Sequence, residues 1–519
     1  MSTLPKSSTD EFGESAPPAP SAAAANQAAS RAQQWWRIGD FAVLGTYASI
    51  VLWIIPYHEK WADEAQAWLI ARDLDLRTIW FHELRYEGSP GLWHTILWIA
   101  QHVFHARYDS IGYIGAAFAI AGVAFMLFKA PFPRPLRWML AFTYFMVYQY
   151  AVIARPYNLL PLLVFAAAYF FQDRTHPERI TITLALLALL SVHGILMACA
   201  IGLAYLIEVV GNWRNLGAPV RKRHVLCVGA MLAVLLFTFF VVKPAPDVDK
   251  FAKSTPGVQT VGGDQPAVRA IQRSKLARIE SIISGALFDF TIPSAIFLLL
   301  AAAWCFHRRK LLLFVMLTAP LVLLYLFLRG FSHHHGTVFI AVIAALWVAW
   351  PTTEEQNTSL RERRATQAMV ALLACLFAVN IGDAAVSIRY EYLYPYSGAE
   401  DAAKYLRLVG ADRQSIFGYT YGIAAVQAYF DHNIVKNIPT TYFHHGAPSP
   451  GAVFLFEDIQ AQKPEYVVFL TQAPDRELPI LDRLLHRCGY ELVHFSDGYL
   501  FFKRSLADRN VYVIYRRKY

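Results

Sequence analysis

Two adjacent acidic residues, Asp63 and Glu64, follow the first long apolar segment of the chain in the sequence Trp-Ala-Asp-Glu. On a helix, neighbouring side chains point about 100° apart, so these two carboxyl groups cannot face each other as an acid/base pair. One of them can take a proton from a substrate while the other orients a neighbouring group or a metal ion. The alternative is the acidic face of an amphipathic helix on a membrane surface, and the residues alone favour neither.

Arg155 stands at the end of another apolar segment, where a guanidinium group is costly unless it meets water, an anion or a carboxylate. Pro156 fits the start of the next helix, with Tyr157 in its first turn. A fixed guanidinium group suits a phosphate. The alternative is an interfacial arginine that extends to lipid headgroups.

Arg329 and the histidines that follow it, His333, His334 and His335, repeat this pattern at a second apolar boundary. Three consecutive histidine side chains diverge, so a closed zinc site is not expected, but one or two of them can hydrogen-bond a substrate. His193 interrupts a further apolar run, and a lone histidine there is more often a packing residue than a ligand.

The composition that surrounds these residues is that of a multi-pass membrane protein and excludes a soluble enzyme. Hydrophobic residues make up 56% of the 519 residues and aromatic residues 14%, concentrated in runs of about 15 to 20. The net charge of +9 lies mostly in short links between these runs, as membrane topology requires, and does not indicate nucleic-acid binding. The five cysteines show no CxxC pair or metal-ligand spacing, so no disulfide framework is expected.

The hydropathy predicts about eleven spans, at about residues 41–56, 110–128, 138–154, 158–171, 180–196, 197–210, 225–242, 288–306, 311–328, 336–350 and 367–386. Five basic links then alternate onto the side of the N-terminus, which is therefore predicted to be cytoplasmic. This count breaks the run 180–210 near His193-Gly194 and treats Pro90–His105 as an interfacial helix that does not cross. Both acidic residues, Arg155 and the histidine run then share the outer side.

The predicted fold is an all-α polytopic membrane protein with a C-terminal extracytoplasmic α/β domain. Residues 1–37, rich in Ala, Pro and Ser, are predicted to form a disordered cytoplasmic tail. Residues 38–386 form the transmembrane domain, and residues 387–519 form a periplasmic domain. In that domain EDAAKYLRLVG indicates a helix, and QSIFGY, EYVVFL and YLFFKR indicate strands.

The order of these features resembles the GT-C superfamily of membrane glycosyltransferases, over about residues 38–350. The resemblance is carried by the acidic pair after the first span, by YEGSPGLWH at the start of an interfacial helix, and by the ARPY turn in IARPYNLLPLLVF. The nearest branch contains protein O-mannosyltransferases and lipid A aminoarabinose transferases. The resemblance implies a bacterial inner-membrane enzyme that transfers a sugar from a polyprenyl-phosphate donor to an extracytoplasmic glycan, lipid or protein.

By position, the resemblance makes Asp63 the catalytic carboxylate and Glu64 its neighbour, and it places Glu87 and His94 in the second motif of the site. Arg155 and Tyr157 match the pair that lies near the lipid phosphate. This chain has Gly88-Ser89 where relatives often carry a Lys or His before the proline. The resemblance therefore leaves that phosphate contact to Arg329 or to one of His333, His334 and His335.

The chemistry of the residues fits this reading. A glycosyl phosphate has a good leaving group, so one carboxylate base and cations on the phosphate suffice, and a single base with in-line attack inverts the anomeric carbon. No cofactor is required and a divalent metal ion stays possible. Two other hypotheses remain: a transporter or flippase of a lipid-linked glycan, and a non-catalytic subunit of a polysaccharide assembly complex. The residues do not define the sugar, the acceptor or the pathway.

Overall fold

The computed structural model describes residues 22–248, 275–327, 332–352, 355, 359–444 and 456–518. Arg329, a predicted phosphate ligand, lies outside the described residues, as does the tail up to residue 21. The first helix begins at Ala22, inside the segment expected to be disordered. The alanine-rich sequence from residue 22 has a high intrinsic helix propensity, which favours this helix.

A bundle of helices forms most of the protein. Its helices are α1 (Ala22–Ile54), α2 (Ala62–Asp73), α3 (Leu76–Thr78), α4 (Leu84–Glu87), α5 (Leu92–His102), α6 (Ile111–Lys129), α7 (Arg134–Ala141), α8 (Leu160–Phe170), α9 (Pro177–Ala188), α10 (Val192–Gly211), α11 (Ala218–Val242), α12 (Lys275–Ala286), α13 (Thr291–His307), α14 (Leu311–Phe327), α15 (His335–Val348) and α16 (Leu360–Leu393). Short turns of 3-10 or π type occupy Ile55–Tyr57, Ile79–Glu83, Tyr108–Ser110, Phe145–Gln149, Pro156–Asn158, Trp213–Asn215 and Ser332–His334.

Within the described residues, five helical segments are long and apolar enough to cross a membrane, and the pair α12 and α13, bent by 76° at its break, would make a sixth. The five are Trp35–Tyr57, Tyr108–Lys129, Val192–Gly211, Ala218–Val242 and Leu360–Leu393. Shorter apolar helices lie at Pro156–Phe170, Leu311–Phe327 and Ser332–Val348. The chain is therefore a multi-pass membrane protein, but the predicted count of about eleven spans is not confirmed because several predicted spans are short or broken.

Three predicted segments can be compared directly with the helices. The run 180–210 forms two helices, as expected, but it breaks before Ser191 and not at His193-Gly194. The reason is that the Ser191 side chain accepts a hydrogen bond from the Gly194 amide at 3.1 Å and caps α10. The segment 138–154 is not one helix, because α7 ends at Ala141 and a π turn follows. Helix α5, with 11 residues, is too short to cross.

Ion pairs bring several of the predicted basic links together at one end of the bundle. Glu208 joins two of these links, because its Oε2 lies 2.6 Å from Arg174 Nη2 and its Oε1 lies 2.5 Å from Lys310 Nζ. A third link follows through Arg308 Nη1 and Glu362 Oε2, 3.9 Å apart. Helix α10 runs from this end of the bundle towards the ARPY turn. At 1.5 Å per residue, it separates Glu208 from His193 by roughly 22 Å.

The C-terminal domain is built on a four-stranded sheet, with helices at Ala399–Leu408, Ile423–Gln427, Phe456–Gln462 and Pro474–Arg487. Its strands are β1 (Ile416–Tyr419), β2 (Tyr466–Thr471), β3 (Tyr490–Phe502) and β4 (Ser505–Arg517), in the order β1-β2-β4-β3. β1 and β2 are parallel, and β4 runs antiparallel to both β2 and β3. The predicted helix and the three predicted strands are present, whereas β4 was not predicted.

The tip of the β3–β4 hairpin anchors this domain in the helical bundle. Lys503, only 3% exposed in its side chain, lies at the tip, and its Nζ is 2.7 Å from Asp289 and 3.6 Å from Asp383. The Arg504 Nε is 2.6 Å from the same Asp383 carboxylate. A buried ammonium group is tolerated only when it is paired, so these carboxylates fix the position of the hairpin.

Candidate active site

Asp63 lies in the first turn of α2 and carries an ion pair. Its Oδ2 is 2.8 Å from Arg155 Nη1, and its Oδ1 accepts a hydrogen bond from the Tyr421 hydroxyl at 3.1 Å. The side chains of Asp63 and Arg155 are 23% and 17% exposed, so both reach solvent. The C-terminal domain thus contributes Tyr421 to the same site. The burial of the Tyr421 hydroxyl is the larger cause, and the charge of Asp63 the next, that raise the pKa of this tyrosine well above its usual value.

Arg155 is held by the turn that it opens. The residue is extended because Pro156 follows it, and its amide donates to Asn158 Oδ1 at 2.7 Å. Its Nη1 also lies 2.8 Å from His333 Nε2. A guanidinium group only donates, so His333 Nε2 accepts this bond and the imidazole is neutral. The guanidinium group therefore connects a carboxylate to a histidine that lies 178 residues further along the chain.

Aromatic side chains form a second layer next to Arg155. The Tyr157 ring lies 5.5 Å from the guanidinium carbon, and its hydroxyl is 3.1 Å from His193 Nδ1. The ring of His334 lies 5.0 Å from that of His193. His193, which the sequence favoured as a packing residue, is therefore part of this layer.

The three histidines of the run point in different directions, as expected from their spacing. His333 contacts Arg155 and His334 contacts the Tyr157 layer, whereas the His335 ring lies 6.3 Å from Phe502 at the hairpin. Within the described part of the chain, His335 Nδ1 has no hydrogen-bond partner. The structure thus brings two of the three predicted histidines to the site.

Glu64 is completely buried and does not face the opening. Its Oε1 accepts from the Ala154 amide at 2.7 Å, and its Oε2 accepts from His58 Nε2 at 2.9 Å and from the Trp61 amide at 3.1 Å. These bonds tie the start of α2 to the backbone just before Arg155. Glu64 is therefore placed to position Arg155 and not to contact a substrate.

His58 extends this network to the last helix of the bundle. Its Nδ1 lies 3.0 Å from Glu391 Oε1, and the Tyr148 hydroxyl donates to the other oxygen of Glu391. Burial alone lowers the pKa of His58, but the carboxylates of Glu64 and Glu391 outweigh it and raise the pKa to about 10. His58 is thus a buried imidazolium clamped by two carboxylates. Sequence reasoning missed it, since 333 residues separate it from Glu391.

Glu87 and His94 lie beside this centre. Glu87 Oε1 accepts from Gln66 Nε2 at 2.8 Å, and Gln66 is one helical turn from Asp63 on α2. The charge of Glu87, like that of Asp63, raises the pKa of Tyr421, although burial is the larger cause. His94 Nε2 is 3.9 Å from Glu87, and burial lowers the pKa of this histidine.

Neither nitrogen of the His94 ring has a hydrogen-bond partner within the described ranges. In those same ranges, no group of three or more His, Cys, Asp or Glu side chains is arranged to hold a metal ion. The positive charge next to Asp63 comes from Arg155.

The helical bundle, the helix α2 that carries the acidic pair and the C-terminal α/β domain together define a fold that is also found in a solved structure. Among solved structures, the chain is similar to ArnT from Cupriavidus metallidurans bound to undecaprenyl phosphate. The TM-score is 0.51 at 11% sequence identity, over 91% of this chain and 97% of that chain. No protein-family model and no curated protein sequence matches the chain. At this identity the likeness establishes the fold alone.

Proposed function

We propose that the protein is a GT-C glycosyltransferase that moves a sugar from a polyprenyl-phosphate donor to an extracytoplasmic acceptor and inverts the anomeric carbon. The observation that carries the proposal is the partly exposed pair of Asp63 and Arg155, 2.8 Å apart, in a GT-C-like fold. The presence of undecaprenyl phosphate in the ArnT structure supports a lipid phosphate as the donor group.

Asp63 is the base in this mechanism. Its free electron pair takes the proton of the acceptor hydroxyl while the hydroxyl oxygen forms a bond to the anomeric carbon. The bond from that carbon to the phosphate oxygen breaks, and the lipid phosphate leaves with the electron pair. Because one base directs attack from the side opposite the phosphate, the product has the inverted configuration.

Arg155 stabilises the departing phosphate. Within the described residues, its contacts to Asp63 and His333 both use Nη1, and a guanidinium group carries further N–H donors on Nε and Nη2. These donors fit a phosphate without the loss of the ion pair to Asp63. The proposal therefore needs no divalent metal ion, since an arginine can neutralise the charge of a monophosphate.

The remaining residues receive supporting roles. Glu64 positions the Arg155 backbone through the Ala154 amide. Tyr157, His333 and His334 form the wall against which the donor lies, and Glu87 with His94 contacts the sugar or the acceptor. Arg329 is proposed as a second contact of the phosphate.

The proposed topology follows from the basic links. Residues 38–386 form the catalytic membrane domain, with the N-terminus in the cytoplasm of a bacterial cell, and residues 387–519 form a periplasmic domain. The ion pairs among the basic links support their assignment to one side of the membrane, since these ion pairs lie at the end of α10 away from the ARPY turn.

The test uses full-length protein in lipid nanodiscs and a panel of polyprenyl-phosphate sugars, with release of free polyprenyl phosphate as the measurement. Asp63→Asn keeps the shape of the side chain and removes the base, so release should fall by roughly 100-fold or more while donor binding persists. Asp475→Asn, at a fully exposed carboxylate of the C-terminal domain, is the matched control. Unchanged release by Asp63→Asn would eliminate Asp63 as the base.

A further inference from the structure

A pocket of about 410 Å³ lies at the basic end of the helical bundle. Residues of α1, of the end of α6 and of the start of α7 line it. Lys129, in this lining, has its Nζ 5.5 Å from the centre of the Tyr169 ring, which belongs to the last turn of α8. Because the ARPY turn precedes the other end of α8, the pocket and the candidate active site are at opposite ends of that helix.

Positive charge exceeds negative charge by three in the lining of this pocket. Four cations and one carboxylate contribute to it: Arg37, Lys129, Arg134, Arg137 and Asp40. Asp40 is buried and its carboxylate is already occupied, because Oδ1 accepts from Trp138 Nε1 at 2.8 Å and Oδ2 is 3.3 Å from Arg134 Nε. Arg37 and Lys129 are exposed, and no carboxylate in the described part of the chain pairs with either. This excess of accessible positive charge attracts an anion.

An apolar wall continues from these cations towards the interior of the membrane. Phe41 follows Arg37 by four residues on α1, roughly 6 Å further along the helix, and Phe128 precedes Lys129 on α6. The two phenylalanine rings lie 5.2 Å apart and are 61% and 41% exposed. A free phosphate ion would use the cations alone, whereas a phospholipid would use the cations and the apolar wall together.

Two tryptophans lie beside the pocket. The rings of Trp36 and Trp138 are 5.7 Å apart, and the guanidinium carbon of Arg134 lies 5.7 Å from the centre of the Trp36 ring. Tryptophan is enriched at the headgroup level of membranes, because its ring is apolar and its N–H is polar. The cations of the pocket are therefore at the depth where lipid phosphates lie.

We propose that this pocket binds the headgroup of an anionic phospholipid. Arg37 and Lys129 contact the phosphate, and Phe41 and Phe128 pack against the first carbons of the acyl chains. All basic links of the bundle attract an anionic membrane surface, but this pocket adds an apolar wall and encloses the lipid between α1 and α6. The proposal goes beyond the proposed function and holds whether or not the protein transfers a sugar.

Native mass spectrometry of the full-length protein in detergent tests this proposal, with the affinity for the first bound lipid as the measurement. Phosphatidylglycerol should bind about tenfold more tightly than phosphatidylcholine of the same acyl chains, since only the former has a net negative charge. Lys129→Gln should weaken the binding of phosphatidylglycerol about fivefold. The matched control is Lys222→Gln, at an exposed lysine of another basic link, which should not change this affinity.

Two further variants complete the test. Arg37→Gln should also weaken the binding of phosphatidylglycerol about fivefold, and Phe41→Ala should weaken it about threefold through the loss of apolar contact. Soluble glycerol 3-phosphate, added at the concentration of the lipid, should not displace it. Equal affinities for the two lipids, or equal effects of Lys129→Gln and Lys222→Gln, would overturn the proposal. Displacement by glycerol 3-phosphate at that concentration would overturn it as well, because the site would then recognise a phosphate and not a lipid.

Discussion

The pairing of His58 with Glu64 and Glu391 should make the stability of the protein fall at alkaline pH. The pKa of His58 is about 10 in the folded protein and about 6.5 in an unfolded chain. Because the folded state holds the proton more tightly, the stabilisation is complete below about pH 6.5 and is lost as the pH rises towards 10. At about 1.4 kcal/mol for each pH unit, the whole effect is about 5 kcal/mol.

Reversible denaturation in mixed micelles at pH 7 and pH 9.5 measures this effect against the variant His58→Gln. Between these values, wild-type protein should lose about 3 kcal/mol more unfolding free energy than the variant, since the other titrating groups are common to both. The variant itself should be less stable at pH 7 by about 3 to 5 kcal/mol, because two buried carboxylates lose their cation. Parallel pH profiles of the unfolding free energy for the two proteins would refute the pairing of a charged His58 with the two carboxylates.

Three further predictions concern the site and the topology. Arg155→Lys should lower kcat and raise KM for the donor by about tenfold each, because an ammonium group lacks the planar array of donors. The control, Arg476→Lys on the exposed surface, should change neither constant. Equal kinetics of both variants would exclude a contact between Arg155 and the donor phosphate. Tyr421→Phe should lower kcat by roughly tenfold through the loss of the hydrogen bond to the Asp63 carboxylate, with Tyr405→Phe as the control. A wild-type kcat for Tyr421→Phe would show that the Tyr421 hydroxyl is dispensable. A reporter fused after residue 365 should be cytoplasmic and one fused at residue 519 periplasmic; a cytoplasmic C-terminal reporter would contradict the proposed topology.

The alternation of apolar runs and basic links accounts for much of what could be predicted. Asp63, Arg155 and His333 are far apart in the chain, yet the parity of the spans assigned them to one side, and the structure brings them into contact. The count of spans is not confirmed, and the position of the break in the run 180–210 differs from the prediction because local chemistry decides it. Ser191 caps a helix, and hydropathy does not register a single hydrogen bond.

Long-range side-chain partners were beyond prediction. Glu391 and Tyr421 approach the acidic pair only because the last helix and the C-terminal domain dock there, and neither residue belongs to a periodic pattern. Strand β4 was missed because charged residues interrupt its apolar sequence. In the folded sheet these charges have partners, since Arg509 pairs with Asp497 and Arg516 with Glu465.

The insertion of the β3–β4 hairpin into the bundle sets an order of assembly. Phe501 at this hairpin stacks on Tyr148, whose hydroxyl bonds Glu391, so the end of the chain touches the network that holds Arg155. Tyr421 likewise reaches Asp63 only from the folded C-terminal domain. A nascent chain therefore has an incomplete site until its last strands are synthesised and folded against the bundle. If the proposed function is correct, half-made molecules transfer no sugar, and truncation near the C-terminus should be as damaging as a change at Asp63.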